Sequence, residues 1–214
     1  LAVLLEAANP LADYKLGKDT IFTIKAEDGT DLYCKLIKPA DFDASKKYPV
    51  IVYVYGGPHA QLVTNSFTRG RYDLWFQLMA QKGYCIFILD NRGSENRGLT
   101  FEQATFRNLS EIEIKDQLKG LDYLSTLSFA DTSRVGVFGW SYGGYMTLNL
   151  MLKTGGRFKT GVAGAPVTDW NMYEVMYTER YMDTPETNPE GYAKASVLDK
   201  ISGLSGKLLI VHGT

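Results

Sequence analysis

The sequence is poor in features that define several large classes of protein. Its 214 residues include only two cysteines, Cys34 and Cys85, too few for a disulfide framework and not arranged as a Cys-x-x-Cys pair. No apolar run approaches the roughly 20 residues that a membrane-spanning helix needs. Positive charge is not in excess, since 23 lysines and arginines stand against 24 aspartates and glutamates. This balance argues against a nucleic-acid-binding protein.

Motifs for common cofactors are missing as well. The chain contains no Gly-x-Gly-x-x-Gly, no phosphate-binding Gly-Lys-Ser/Thr and no His-Glu-x-x-His. We therefore expect neither a cofactor nor a metal. What the chain does have is 45% hydrophobic and 13% aromatic residues, at a length that suits one domain with a full core.

Continuous apolar runs alternate with segments of helical period. The runs span residues 50–55, 84–89, 134–140, 161–167 and 207–212. Such runs are typical of strands buried on both faces, as in parallel sheets. Helical spacing is found at residues 73–82, 110–127, 142–153 and 190–199, and the second of these segments opens with the capping-box pattern Ser110-x-x-Glu113. In the first of these helices, Leu74, Leu78 and Met79 form the expected apolar face, and the whole pattern predicts an α/β domain.

The ends of the chain suggest how it is organised. Residues 1–19 mix short apolar and turn residues and are interpreted as a linker, or the exit from a preceding domain. Residues 20–25 and 32–38 flank an Asp28-Gly29 turn and predict a hairpin. The final apolar run, residues 207–212, reaches turn-like residues at the end of the given sequence. We interpret the sequence as part of a longer protein, with one domain over residues 20–214 that is incomplete at its C-terminal end.

Ser141 lies in the strongest motif of the chain. The sequence Gly139-Trp-Ser-Tyr-Gly143 follows an apolar strand and precedes a helical segment, which is the setting of a Gly-x-Ser-x-Gly nucleophile elbow. Glycines two positions before and after the serine avoid clashes at such a tight turn. The serine oxygen then stands at the carboxyl end of the sheet, beside a helix N-terminus. Ser141 is therefore predicted to be a nucleophile.

A second glycine pair follows the strand at residues 50–55. In hydrolases with this elbow, the corresponding loop supplies donors to the oxyanion hole. Here the Tyr55 hydroxyl and the backbone N–H of Tyr142 are the candidate donors. One such donor is worth roughly 3–4 kcal/mol in the transition state.

Tyr173 and Tyr177 stand four positions apart after another apolar run, so on a helix they would share one face. Such a face suits a flat apolar pocket. Taken alone, the spacing favours aromatic packing in the core over a binding site.

These motifs together resemble the prolyl oligopeptidase family of serine peptidases, in particular its dipeptidyl peptidase IV group. The resemblance covers residues 20–214 and rests on segments that occur in one order: Tyr55-Gly-Gly-Pro, Asp90-Asn-Arg-Gly-Ser94, Gly139-Trp-Ser-Tyr-Gly-Gly-Tyr145, Tyr177-Thr-Glu-Arg-Tyr-Met182 and His212-Gly-Thr214. It implies an α/β-hydrolase fold, with a mostly parallel twisted sheet and helices on both faces. It also implies release of N-terminal dipeptides after Pro or Ala through an acyl-enzyme on Ser141.

The resemblance assigns further roles. It places Tyr142, Val167, Trp170, Tyr173 and Tyr177 around the S1 pocket that accepts proline or alanine, which reverses the interpretation of the tyrosine pair. It implies a peptide substrate, a β-propeller that precedes the catalytic domain in the same chain, a homodimer of the full-length protein and an extracytoplasmic location. Whether the action is dipeptidyl, acylaminoacyl or endopeptidase depends on that propeller.

The partners that a serine nucleophile needs are not evident. A serine hydroxyl requires a base, and the base requires an orienting carboxylate. The chain has only His59 and His212, and the family's Asp and His follow the His-Gly-Thr motif, beyond Thr214. Asp169 is a minor candidate for the acid. We expect this piece alone to be inactive. Two other functions stay open: an esterase or lipase on the same fold, and a non-enzymatic scaffold protein.

Overall fold

The computed structural model describes residues 3–66 and 71–213 of the chain. The described residues form one sheet of seven strands in the order β1-β2-β4-β3-β5-β6-β7. The strands are β1 (Lys18–Lys25), β2 (Asp31–Lys38), β3 (Tyr48–Tyr53), β4 (Cys85–Asp90), β5 (Ala130–Trp140), β6 (Thr160–Gly164) and β7 (Lys207–Val211). The first two pair antiparallel, as does β2 with β4, and all other neighbours are parallel. The predicted hairpin and the mostly parallel α/β sheet are thus confirmed.

Helices connect the strands and cover both faces of the sheet. They are α1 (Arg71–Gln81), α2 (Leu99–Glu102), α3 (Glu111–Thr126), α4 (Tyr142–Lys153), α5 (Val175–Met182) and α6 (Pro189–Ala195), with 3₁₀ segments at Gln103–Thr105, Trp170–Met172 and Leu198–Gly203. No helix within the described ranges is long and apolar enough to cross a membrane.

Strand β4 shows why the sheet sequence is continuously apolar. Successive side chains of a strand point to opposite faces. Phe87 and Leu89 pack into the larger core, on the side of α3 and α4, whereas Ile86 and Ile88 pack into a second core that includes Phe76 of α1. Both sets are almost completely buried. A strand covered on both faces has no polar side, which is what the sequence pattern indicated.

Two expectations about these elements were wrong in detail. Leu74 and Leu78 of α1 are about half exposed, whereas Met79 packs against the second core as expected, beside the buried Phe76 and Ala80. Large aromatic side chains bury more apolar area than leucine, so they decide the rotation of this helix. Strand β6 also ends at Gly164 rather than at Val167, because the chain turns at Ala165, which has a φ of 41°.

Candidate active site

Ser141 lies at a sharp turn between β5 and α4. Its φ and ψ are 58° and −118°, a strained conformation for a residue with a side chain. The turn is held from both sides: the Ser141 N–H donates to Gly164 O (2.8 Å), and its carbonyl accepts from Tyr145 N (3.0 Å). Ser141 is partly exposed at the carboxyl end of the parallel strands. The elbow geometry expected from the motif is present.

The glycines of the motif are required by backbone contacts. A Cβ atom on Gly139 would overlap the carbonyl oxygens of Gly143 and Val54, and one on Gly143 would also strike Val54 O. A Cβ atom on Gly144 would overlap Gly164 O. The turn is therefore wedged between the carboxyl ends of β3 and β6, and no residue with a side chain fits at these positions.

Tyr55 follows β3 on a loop fixed by buried polar groups. Asn91 donates from Nδ2 to Gly56 O (3.0 Å), and Gln117 Nε2 donates to Asn91 Oδ1 (3.0 Å). Farther along, the Asp90 carboxylate accepts from the N–H groups of Leu62 and Val63, both at 2.9 Å. These bonds hold both ends of the loop segment that directly follows Tyr55.

The side chain of Tyr55 is half-buried and its ring lies 6.0 Å from that of Tyr142. Burial, together with the neighbouring phenols of Tyr173 and Tyr181, raises the Tyr55 pKa. A phenol with a raised pKa stays protonated at neutral pH and remains a hydrogen-bond donor. Tyr142 is the first residue of α4, so its N–H has no acceptor within the helix.

All of the sequence-predicted site residues line one cavity of about 50 Å³. Its lining is Tyr55, Ser141, Tyr142, Val167, Trp170, Tyr173 and Tyr177. Since about 10–15 Å³ holds one water, the space admits roughly three to five groups of that size. Larger cavities occur elsewhere on the described protein, but they do not contain the elbow serine.

The cavity wall is an aromatic cluster with defined ring geometry. The rings of Trp170 and Tyr177 are nearly parallel (11°) with centroids 5.9 Å apart, and Tyr173 meets both rings edge-on, at 5.7 Å from Trp170 and 5.5 Å from Tyr177. Tyr173 and Tyr177 do not share a helix face as expected. Tyr173 precedes α5 and follows a 3₁₀ turn, so the two side chains meet from different elements.

A carboxyl group that no sequence motif connects with the site lies behind Tyr142. Glu113, in the first turn of α3, is fully buried and accepts from the Tyr142 hydroxyl at 2.7 Å and from Ser110 N at 3.0 Å. Burial raises the Glu113 pKa to about 7. The sequence showed this residue only as the end of the Ser-x-x-Glu cap of α3, and no local pattern connects it with residue 142.

The two histidines and Asp169 lie outside the cavity lining. His59 places Nδ1 3.8 Å from a carboxylate oxygen of Glu102 and its ring against Tyr181. His212 is exposed at the end of β7. Asp169 caps the 3₁₀ turn by accepting from Asn171 N (2.9 Å) and also bonds Ser196. Within the described residues, no imidazole joins Ser141 in the cavity.

Arg92 has a structural role in a salt bridge, as arginine residues most often do. Its guanidinium binds Asp116 through Nε and Nη2, at 3.0 and 2.6 Å, and also pairs with Asp28 of the hairpin turn. Asp116 is fully buried, so this two-pronged contact neutralises a charge inside the protein. No cluster of three or more His, Cys, Asp or Glu that suits a metal occurs in the part of the chain that the structure describes.

Comparisons with known proteins agree with this geometry. The model of the prolyl oligopeptidase family matches residues 71–214. Mouse dipeptidyl peptidase 8 is 44% identical over 218 aligned positions, which cover 99% of this chain and 24% of the mouse protein. Dipeptidyl peptidase 4 of Trichophyton equinum is 37% identical over 95% of this chain and 27% of its own length.

Solved structures are similar as well. A Bacteroides ovatus protein assigned as a dipeptidyl aminopeptidase IV superposes with a TM-score of 0.93 and 57% identity, over 98% of this chain and 30% of that one. Porphyromonas gingivalis dipeptidyl peptidase 4 gives a TM-score of 0.87 and 38% identity, over 94% and 28%. The fold is that of the α/β hydrolases. The chain belongs to the prolyl oligopeptidase family, and it spans about a quarter to a third of the length of these relatives.

Proposed function

We propose that this chain is the nucleophile-bearing part of a serine dipeptidyl peptidase. The observation that carries the proposal is the single cavity in which an elbow serine, a phenol donor and an aromatic pocket meet. Ser141 attacks the carbonyl carbon of the scissile peptide bond and becomes acylated, while its proton passes to a base and then to the leaving amine. Water hydrolyses the acyl-enzyme in the second half of the reaction.

Tyr55 and Tyr142 stabilise the charge that develops on the carbonyl oxygen. The Tyr55 hydroxyl approaches it from the loop after β3, and the Tyr142 N–H, which has no acceptor within α4, from the start of that helix. Donors held in place before the reaction act in a site with little water, where their effect exceeds that in bulk solvent. The hydrogen bonds from Asn91 and to Asp90 keep the Tyr55 loop from relaxing.

The pocket selects a small, compact side chain. Val167, Trp170, Tyr173 and Tyr177 provide apolar and aromatic walls around a space of about 50 Å³. The three methylene groups of a proline ring, or the methyl group of alanine, match that space, whereas a large aromatic side chain exceeds it. Peptides with Pro or Ala before the scissile bond are therefore the proposed substrates.

The rest of the machinery is proposed to belong to a longer protein. Residues 1–19, whose last two residues already belong to β1, are proposed to be the exit from a preceding β-propeller, and residues 20–214 the larger part of the catalytic domain. The orienting Asp, the base His and the second copy of a homodimer are assigned to the full-length protein on family resemblance. Size-exclusion chromatography with light scattering tests the dimer: a monomer at micromolar concentration contradicts it.

The proposed activity is tested on the full-length protein with a chromogenic Gly-Pro amide and a matched short-chain acyl ester. We expect turnover of the amide, and loss of about 10⁴–10⁶ in kcat for S141A. Preference for the ester, with no hydrolysis of the Pro amide, would indicate an esterase. Unchanged activity of S141A would overturn the assignment of the nucleophile.

A further inference from the structure

Glu113 is the buried acidic group in closest contact with the candidate site. Its side chain has no exposed surface, and its Oε1 accepts both the Tyr142 hydroxyl (2.7 Å) and the backbone N–H of Ser110 (3.0 Å). Its Oε2 has no partner among the described residues. Burial of an incompletely bonded carboxyl group costs free energy, so a benefit elsewhere is needed to explain its presence here.

The ring of Tyr142 connects Glu113 to both candidate oxyanion donors. At one end its hydroxyl is fixed by the carboxyl group of α3. At the other end it continues into the backbone of residue 142, directly after Ser141. The ring face packs against Gly57, where a Cβ atom would come within 2.7 Å of Tyr142 Cγ. The Tyr55 ring lies 6.0 Å away. One side chain therefore touches the elbow and the Tyr55 loop together.

We propose that Glu113 is a positioning residue for the oxyanion hole: by holding the Tyr142 hydroxyl, it fixes the Tyr142 ring, and with it the Tyr142 N–H and the loop of Tyr55. The proposal rests on the proposed function of the site. Oxyanion donors act only when they are placed within a fraction of an ångström, and a misplacement of about 1 Å costs roughly 10²-fold in rate.

The contact does not depend on the charge of Glu113. A carboxylate and a neutral carboxyl group both keep an oxygen that accepts the tyrosine O–H, and a glutamine amide keeps one too. The raised pKa of Glu113 is consistent with a group that works in either form. Leucine has nearly the same size but no acceptor. E113Q therefore preserves the contact and E113L removes it.

The test compares E113Q, E113L, Y142F and the double variant E113L/Y142F in the full-length protein, with a Gly-Pro amide as substrate. We expect E113L to lower kcat by about 10–100-fold and E113Q to stay within about 3-fold of wild type. Y142F should resemble E113L, and the double variant should lose no more than the worse single variant, because both remove one contact.

L124A is the control for loss of stability. Leu124 is fully buried on the same helix but about 16 Å farther along it. L124A should lower the unfolding temperature at least as much as E113L while leaving kcat of the folded enzyme within about 2-fold. A kcat for E113L within 2-fold of wild type, or independent effects that multiply in the double variant, would overturn the proposal.

A crystal structure of E113L supplies a readout that does not need activity. We expect the Tyr142 ring to move by about 1 Å or more, on the scale at which placement affects rate. A ring that keeps its wild-type position would contradict the positioning role. If the wild-type protein does not hydrolyse the amide, the proposed function fails. The structure of E113L still shows whether Glu113 holds the Tyr142 ring in place.

Discussion

Tyr55 has a phenolic hydroxyl that can donate a hydrogen bond from a half-buried position. Its phenol is half-buried beside Tyr142, and the pKa of that phenol is raised by burial and by the neighbouring tyrosines. The hydroxyl proton is therefore retained at neutral pH, where the site would need it. Replacement by phenylalanine removes one oxygen and leaves the packing of the ring in place.

We expect Y55F to reduce kcat of the full-length enzyme by about 10²–10³-fold, the loss typical of one oxyanion donor, with the unfolding temperature almost unchanged. Steady-state kinetics with the Gly-Pro amide measures this. Y33F removes a phenolic hydroxyl from β2, outside the cavity, and its kcat should stay within about 2-fold of wild type. A kcat for Y55F equal to that of Y33F would remove Tyr55 from the oxyanion hole.

Glu113 gives a prediction about stability and pH. Its pKa in the folded protein, about 7, lies above the usual value of 4.5, so the folded state holds more protons than the unfolded state between these values. The free energy of unfolding therefore falls as the pH rises through this window. E113Q lacks this titration, so the free energy of unfolding of E113Q minus that of wild type should rise by up to about 3 kcal/mol as the pH rises from 4.5 to 7.

Other titratable groups face Glu113 from its own helix and from α4 and α5. They are Asp116, Tyr142, Tyr145, Lys153 and Tyr177. The three tyrosines have raised pKa values and stay neutral throughout the window. Chemical unfolding of wild type and E113Q at several pH values isolates Glu113, because the other groups cancel in the difference. If the free energy of unfolding of E113Q minus that of wild type stays flat or falls with rising pH, the titration is contradicted.

Single residues also mark where sequence reasoning stopped. Ser141, Tyr55 and Tyr142 follow from motifs whose spacing reflects local backbone geometry. Val167 and Trp170 came only from family resemblance, since neither stands out in its own segment. Glu113 was found only in the structure, because it is 28 positions from Ser141 and its contact with Tyr142 depends on how α3 packs against α4.

Among the elements, the elbow after β5 depends on the ends of the two neighbouring strands, β3 and β6. Gly139 and Gly143 lie against Val54 O, at the end of β3, and Gly144 lies against Gly164 O, at the end of β6. The strained φ of Ser141 persists because these contacts leave the turn no alternative. A side chain at Gly143 must push the first turn of α4 away from the end of β3.

We expect G143A to destabilise the full-length protein by about 2 kcal/mol or more, as overpacking against rigid backbone does, and to abolish measurable amide hydrolysis. Thermal unfolding and kinetics together measure the effect. K82A removes an exposed side chain outside the cavity lining, and it should change neither quantity. Normal stability of G143A would mean that the elbow is looser than described.

Helices and strands could be predicted from the sequence where a single local pattern defined them. The continuous apolar runs located the parallel strands, and the Ser-x-x-Glu pattern located the start of α3 within a residue. The face of α1 was wrong because leucines and aromatic residues alternate around it, and only packing decides which are buried. The predicted helix over residues 190–199 is in fact α6 followed by a 3₁₀ turn from Leu198, a boundary that local propensity does not define.

For the molecule as a whole, the central question is where the base comes from. Among the residues that the structure describes, 3–66 and 71–213, no histidine lines the cavity with Ser141. We therefore expect the 214-residue chain, expressed alone, to hydrolyse the Gly-Pro amide at least about 10⁴-fold more slowly than the full-length protein. Circular dichroism and size-exclusion chromatography must first show that the chain is folded. Comparable turnover by the folded chain would mean that a residue present here serves as the base.

The site at which a fluorophosphonate probe reacts with the full-length protein identifies the nucleophile directly. Peptide mass spectrometry should find the adduct on Ser141, S141A should remove it, and a Pro-containing competitive substrate should slow its formation. Labelling of another serine, or equal labelling of S141A, would contradict the claim that the elbow hydroxyl is the nucleophile.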